Sequence, residues 1–166
     1  MKHVFGRGAE TTLSHVDAES DVQPNAVDLR LGKVFKIRNE LFEITNHDKK
    51  HRGSDEVKPD VDGFYYLEPG SYEVIMKNTI AVGLNEAGWV ITRSTLNRNG
   101  VFLTSGLYDS GYSGVMAGVM HVTCGPARIK KGTRIGQYIC FDAETLHLYD
   151  GDYGSNKEHD KKYGEN

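Results

Sequence analysis

The stretch at residues 93–114, RSTLNRNGVFLTSGLYDSGYSG, contains three successive kinds of segment. It begins with a turn rich in basic and hydroxyl side chains and continues through a short apolar run. It ends in a segment where glycines and tyrosines surround a single acidic residue, Asp109. A basic turn followed closely by one carboxylate is the pattern expected for a phosphate site beside a residue that activates water.

Short apolar runs separated by glycine turns extend in both directions from this stretch. The chain has 19 glycines in 166 residues, and they separate runs rich in Val, Ile, Tyr and Phe. This pattern predicts an all-β fold, a jelly roll or β-sandwich with little helix. The predicted strand segments are residues 27–37 with a bend at Gly32, 41–45, 64–67, 72–76, 80–83, 89–92, 115–122, 127–129 and 134–141.

Three polar regions accompany this core, which occupies residues 24–141 of a chain that we expect to be a single domain over residues 1–166. Residues 1–23 are polar, with one short helix predicted at residues 12–20. Residues 46–62 are charged and contain proline, which predicts a mobile surface insertion. Residues 142–166 lack an apolar pattern, and such a tail is disordered unless something docks it.

Composition argues against several classes of function. The net charge is −3 and no long basic run is present, so we expect no non-specific nucleic-acid binding. No apolar stretch approaches the length of a membrane span and residues 1–10 contain no signal-peptide core, so we expect a cytoplasmic protein. Cys124 and Cys140 are not spaced as zinc ligands and fit thiols of a reducing compartment.

Four ordered segments resemble the motifs of a known superfamily. They are PNAVDLRLG at residues 24–32, RSTLNR at 93–98, GLYDSGYSG at 106–114 and GTRIGQ at 132–137. Together they are similar to the dUTPase and dCTP deaminase superfamily, and KKYG at residues 161–164 resembles a shortened deaminase-type tail. The resemblance implies a distorted jelly roll, a homotrimer and a deoxynucleoside triphosphate substrate.

The resemblance assigns the chemistry to Asp109 and the sugar contact to Tyr112. Hydrolysis between the α and β phosphates needs a base for the attacking water, and a carboxylate at a strand end can act as one. The matching tyrosine packs under the deoxyribose and leaves no room for a 2′-hydroxyl. The alternatives are a turn aspartate and an ordinary cross-strand aromatic pair.

Phosphate binding is assigned to residues around the basic turn and on the last strand. Arg93 and Ser94 follow a strand end, where guanidinium, hydroxyl and backbone N–H groups can bind phosphate oxygens. If a short helix begins at Ser94, Arg98 lies on the same face. Gln137 lies in an apolar strand, where its amide costs free energy unless it is hydrogen-bonded. The predicted substrate-binding set is Arg93, Ser94, Thr95, Arg98, Tyr112, Gln137, Lys162 and Tyr163.

Three of these assignments have alternatives. The basic turn is equally consistent with a surface turn capped by a hydroxyl side chain. Lys162 and Tyr163 would form a lid over the ligand, or else belong to a frayed tail. Mg²⁺ would take most of its ligands from the triphosphate and from water. Asp28 is a candidate contact through water, and the alternative is a structural ion pair within its Asp-x-Arg sequence.

The choice of reaction depends on Val119. By the family spacing, Val119 occupies the position of the glutamate that transfers protons in the deaminases, and valine cannot carry protons. His121 lies nearby, but a structural role is expected for it, and the zinc-deaminase signature has no match. The segment between Gly100 and Asp109 is shorter than in the family, which leaves uracil, cytosine and a modified pyrimidine open as the base.

We therefore expect a pyrophosphatase that converts dUTP to dUMP and pyrophosphate. The alternatives are a zinc-free dCTP deaminase and a non-catalytic nucleotide-binding protein of the same fold.

Overall fold

The computed structural model describes residues 1–164, which form twelve strands, one α-helix and one 3₁₀ helix. The strands are β1 (Thr12–Leu13), β2 (Val27–Ile37), β3 (Glu43–Ile44), β4 (Lys49–Lys50), β5 (Ser54–Val57), β6 (Phe64–Leu67), β7 (Gly70–Ala81), β8 (Glu86–Thr92), β9 (Val101–Thr104), β10 (Ser113–Val122), β11 (Ala127–Lys130) and β12 (Arg134–Asp142). The α-helix, α1, spans Ser94–Arg98, and the 3₁₀ helix spans Glu158–Tyr163.

One antiparallel eight-stranded sheet organises the chain. Its order is β8-β12-β2-β7-β10-β9, with β1 added to β7 and β5 added to β2. Strands β6 and β11 form a separate pair, as do β3 and β4. The predicted all-β fold with little helix is confirmed.

The long strands contribute buried side chains to one core, and the pairing of β2 with β7 is irregular at one point. Leu29 and Leu31 on β2 and Met76 on β7 are fully buried in the main core. The register of β2 and β7 shifts between Leu31 and Lys33, at the glycine predicted to lie at a bend. A Cβ at Gly32 would lie 2.7 Å from the carbonyl oxygen of Ile75, so the close approach of the two strands requires glycine here.

Two sequence predictions are wrong because tertiary pairing overrides weak local patterns. Residues 12–20 do not form a helix; β1 pairs with the end of β7, and the amide of Asn78 donates hydrogen bonds to the carbonyls of Ser14 and His15. The charged insertion at residues 46–62 contains β5, which pairs with β2 from Val34 to Ile37 and so belongs to the main sheet. The segments predicted at residues 72–76 and 80–83 belong to one strand, β7.

The polar tail docks on the outer face of the sheet, as the sequence left open. Tyr163 is 4% exposed and packs with Phe35 and Ile75. Its hydroxyl donates a hydrogen bond to the carboxylate of Glu73, and its carbonyl accepts one from the ammonium of Lys33. The last two residues of the predicted tail, 165–166, lie outside the described residues.

The N-terminal segment is held by a buried carboxylate. Glu86 is 1% exposed and accepts hydrogen bonds from Lys2 Nζ at 2.8 Å, Glu10 N at 3.0 Å, and both Thr11 N and Thr11 Oγ1. Burial alone would raise the pKa of Glu86, but these donors outweigh burial and lower the pKa from 4.5 to about 2. The ionised form is therefore the one that the fold stabilises.

We predict that Glu86→Gln lowers the free energy of unfolding at pH 7 by about 2–4 kcal/mol, because Lys2 and two backbone N–H groups lose their anionic acceptor. Because the folded pKa of Glu86 is depressed, its contribution is present above pH 4.5 and is lost as the pH falls toward 2. Urea unfolding of both proteins between pH 7 and pH 3 measures this difference.

The control for this prediction is Asp142→Asn, which removes the exposed second carboxylate that contacts Lys2. We expect little change in stability from it, since exposed ion pairs contribute little. A Glu86→Gln deficit that stays constant down to pH 3 would contradict the assignment.

Candidate functional site

The phosphate-side residues meet where three strands lie side by side. Arg93 follows β8 directly and precedes α1; its Nη1 donates to the carbonyl oxygen of Arg134 at 3.2 Å. Ser94, Thr95 and Arg98 lie on α1 with exposed side chains. The predicted short helix at Ser94 is therefore present, and its hydroxyl and guanidinium groups face solvent.

A fully buried carboxylate gathers the cationic and amide groups of this region. Asp28 Oδ1 accepts a hydrogen bond from Gln137 Nε2 at 2.9 Å, while Asp28 Oδ2 lies 3.3 Å from both Arg93 Nε and Arg134 Nη1. We call Asp28, Arg93, Arg134 and Gln137 the arginine cluster. One carboxylate faces two guanidinium groups, so the cluster carries excess positive charge.

Asp28 and Arg30, the two charged residues of the Asp-x-Arg sequence, do not pair with each other but with other residues. Arg30 pairs with Asp21 at 2.6 Å, and Asp28 pairs with Arg93 and Arg134. Both carboxylate oxygens of Asp28 are thus engaged by side chains, which favours a structural role over metal ligation. Within residues 1–164, no group of three or more His, Cys, Asp or Glu side chains is placed to hold a metal ion.

Asp109 combines a fixed backbone with an unengaged carboxylate. Its carbonyl accepts a hydrogen bond from Tyr112 N at 3.0 Å, and the hydroxyl of the adjacent Ser110 donates to the carbonyl of Glu86 at 2.6 Å. The Asp109 carboxylate itself is exposed and makes no hydrogen bond to any described residue. It lines a cavity of about 550 Å³ together with Ala87 and residues of the tail. A carboxylate so placed is open to a water molecule and to a ligand.

Tyr112 lies in the wall of a second cavity, which we call the tyrosine cavity. Its ring is 6% exposed and packs edge-on against Tyr108 and Tyr149, with centroids 5.4 and 5.3 Å away. Its hydroxyl donates to the carbonyl of Val115 at 2.7 Å, and burial raises the pKa of the Tyr112 phenol, so it stays protonated. The tyrosine cavity has a volume of about 600 Å³. Small residues of β10 line it at Ala117, Gly118 and Val119. Aromatic rings line it at Tyr108, Tyr112, Tyr149, Tyr153 and Tyr163, and polar side chains at His51, His159, Glu73, Asp160 and Lys162.

The predicted site residues thus fall into separate groups within one chain. Arg93 and Gln137 meet in the arginine cluster, while Tyr112 shares the tyrosine cavity with Lys162 and Tyr163. Asp109 lines the neighbouring cavity. Neither of these two cavities is lined by residues of the arginine cluster.

Comparison with known proteins places this geometry in a family. The chain matches the sequence model of the dCTP deaminase-like family over residues 7–143. The chain belongs to this family. It is 31% identical to the probable deoxyuridine 5'-triphosphate nucleotidohydrolase of Halobacterium salinarum, over 90% of this chain and 93% of that protein. It is 32% identical to the deoxyuridine 5'-triphosphate nucleotidohydrolase of Methanocaldococcus jannaschii, over 88% and 96%.

Two solved structures share the fold of this chain at low sequence identity. The dCTP deaminase of Agrobacterium tumefaciens superposes with a TM-score of 0.60 at 18% identity, over 78% of this chain and 42% of that longer one. A mutant dUTPase of Staphylococcus bacteriophage 80alpha, solved with dUpNHpp, superposes with a TM-score of 0.54 at 12% identity, over 86% and 97%. Residues 1–164 contain no helix with the length and apolar character of a membrane span.

Several residues of the tyrosine cavity were missed by the sequence analysis. Glu73 reaches it from β7, His51 from the insertion, and Tyr149, Tyr153 and His159 from the tail. The sequence predicts a mobile insertion and places only Lys162 and Tyr163 of the tail near the ligand, so the other side chains of these two segments are not assigned to a site. Three tyrosines within residues 149–163 of an otherwise polar tail were an available signal, because such rings gain from burial against a protein surface.

Proposed function

We propose that this protein hydrolyses deoxyuridine triphosphate to deoxyuridine monophosphate and pyrophosphate. The observation that carries the proposal is Asp109, an unengaged carboxylate on a fixed backbone, in a segment that matches the family motif. Relatives named deoxyuridine triphosphate nucleotidohydrolases are about 30% identical over most of the chain, which supports the same substrate here.

Asp109 acts as the general base in this proposal. Its carboxylate orients a water molecule and accepts a proton as the water oxygen attacks the α-phosphorus. The bond from the α-phosphorus to the oxygen that bridges the α and β phosphates then breaks, and pyrophosphate leaves with that oxygen. The monophosphate keeps the oxygen of the attacking water.

The arginine cluster and α1 supply the phosphate contacts. Arg93 Nε is ion-paired with Asp28, and Arg93 Nη1 donates a hydrogen bond to the carbonyl of Arg134. These contacts orient the guanidinium and leave its other N–H groups for phosphate oxygens. Ser94, Thr95 and Arg98 extend this surface, and Gln137 contributes its amide. The excess positive charge of the cluster attracts the triphosphate.

The tyrosine cavity binds the deoxyribose of the substrate and is covered by the lid. Tyr112 lies under the deoxyribose, where its fixed ring leaves no space for a 2′-hydroxyl. Lys162 and Tyr163 form the lid, and their contacts with Glu73 hold it against the sheet in this structure. A docked lid excludes water from the side of the ligand away from Asp109.

We further propose that the protein acts as a homotrimer in the cytoplasm. In one chain the arginine cluster lines neither cavity, so a neighbouring subunit would bring its cluster to Asp109 and Tyr112. The free thiols of Cys124 and Cys140 fit a reducing compartment. Mg²⁺ would be held mainly by triphosphate oxygens and water, so no cluster of carboxylates from this chain is required, and it would offset the charge that develops on the phosphates.

A product-resolved assay tests the proposal. The purified protein is given dUTP, dCTP, dTTP and UTP separately with Mg²⁺, and pyrophosphate, ammonia and nucleotide products are measured. We expect pyrophosphate and dUMP from dUTP, and little product from UTP because Tyr112 excludes its 2′-hydroxyl. Ammonia from dCTP would instead support the deaminase alternative, in spite of Val119.

A further inference from the structure

The tyrosine cavity runs along the outer face of the sheet and crosses several strands. Its lining residues run from Leu107, which follows β9, past Val119 on β10 and Glu73 on β7 to Ile37 on β2. Neighbouring strands lie about 4.8 Å apart, so the three steps from β9 to β2 cover about 14 Å. A pyrimidine ring spans little more than one interstrand spacing, and it therefore fills only part of the cavity.

One end of the cavity is formed by the chain that follows β9. Gly106 and Leu107 line this end, and their backbone N–H groups make no hydrogen bond to any described residue. Backbone groups in this position suit the polar edge of a pyrimidine, which carries two exocyclic groups and a ring nitrogen. The middle of the cavity, at Ala117, Gly118 and Val119 on β10, is apolar and small.

The other end of the cavity, beyond Glu73, presents polar side chains instead of backbone N–H groups. The carboxylate of Glu73 is engaged by Lys162 and Tyr163. His51 and the hydroxyl of Tyr153 have no hydrogen-bond partner within residues 1–164. Their rings instead contact His159, with centroids 5.2 and 4.6 Å away. These groups form a rim of donors and acceptors that an unsubstituted pyrimidine, read at Gly106 and Leu107, would not reach.

We propose that this site takes deoxypyrimidine triphosphates whose base carries a polar substituent, such as a hydroxymethyl group, at C5. This inference rests on the proposed function. The edge of the ring that contains C5 lies opposite its polar edge and carries only C–H groups in uracil. A substituent at C5 would pass over Val119 toward the rim, where its hydroxyl meets His51 and Tyr153.

Steady-state kinetics with matched substrates test the inference. The substrates are dUTP, 5-hydroxymethyl-dUTP and dTTP, the last being a C5-substituted control without a hydroxyl. We expect kcat/KM for 5-hydroxymethyl-dUTP to equal or exceed that for dUTP, and to exceed that for dTTP by about tenfold, the effect of one hydrogen bond. His51→Ala should lower the preference for the hydroxymethyl substrate over dUTP about tenfold.

The matched control variant is His47→Ala, which removes an exposed histidine of the same insertion that does not line the cavity. It should leave the preference unchanged. If dUTP is hydrolysed and kcat/KM for 5-hydroxymethyl-dUTP is tenfold lower than for dUTP, the inference is overturned and the proposed function is kept. The same conclusion follows if His51→Ala and His47→Ala change the preference for the hydroxymethyl substrate equally. Absence of hydrolysis of all three substrates overturns both. Hydrolysis of 5-hydroxymethyl-dUTP alone supports the inference and replaces dUTP as the substrate.

Discussion

Replacing Asp109 by asparagine lowers kcat for dUTP by at least about a hundredfold, because the amide cannot accept a proton from the attacking water. The size of the side chain and the hydrogen bonds of the backbone around Asp109 are preserved, so the affinity for the nucleotide should stay within about twofold. Single-turnover kinetics together with calorimetric binding of dUTP separate the two quantities.

The control for this prediction is Asp150→Asn. Asp150 lines the same cavity as Asp109 and has an exposed carboxylate, so it reports any general effect of charge in that cavity. We expect kcat to stay near the wild-type value in this variant. If Asp109→Asn also turned over dUTP at the wild-type rate, Asp109 would have no part in proton transfer.

The second large effect is expected for Arg93→Ala, which should weaken binding of dUTP about 10- to 100-fold while leaving binding of deoxyuridine unchanged. A charge-assisted hydrogen bond contributes about 1.5–3 kcal/mol, and Arg93 is oriented for phosphate by Asp28 and the carbonyl of Arg134. Calorimetry with the triphosphate and with the nucleoside measures the difference directly.

Arg128→Ala is the matched control, because Arg128 lies on the separate β6–β11 pair and is bound to Asp60. Its loss should not alter affinity for either ligand. Equal affinity of wild type and Arg93→Ala for dUTP would remove Arg93 from the phosphate site. A loss of deoxyuridine binding of the same size would indicate a folding defect instead.

The strands that the sequence predicted best are those with a strong apolar pattern. The apolar runs at residues 115–122 and 134–141 correspond to β10 and β12, because buried strands need little beyond apolar side chains and flanking turns. Strand β5, with the sequence SDEV, could not be found this way. Its polar residues occupy the edge of the sheet, and only the pairing with β2 makes them a strand.

Residues of the candidate site that lie in recognisable motifs can be named from the sequence, whereas the contacts that these residues make with distant parts of the chain cannot. The motif at residues 93–98 and Gln137 were assigned together, and Asp28 joins them in the structure. The docking of Tyr163 on Glu73 connects residues 90 positions apart, and nothing in either local sequence indicates the other. Because the tyrosine cavity depends on this docking, the sequence alone does not predict it.

Hydrolysis of dUTP in water enriched in oxygen-18 tests the central claim most directly. If Asp109 activates water for attack on the α-phosphorus, the label appears in dUMP and the pyrophosphate stays unlabelled. Mass spectrometry of the two products measures where the label is. Label in pyrophosphate would place the attack on the β-phosphorus, and dUTP recovered intact would contradict the assignment of this chain as a dUTP hydrolase.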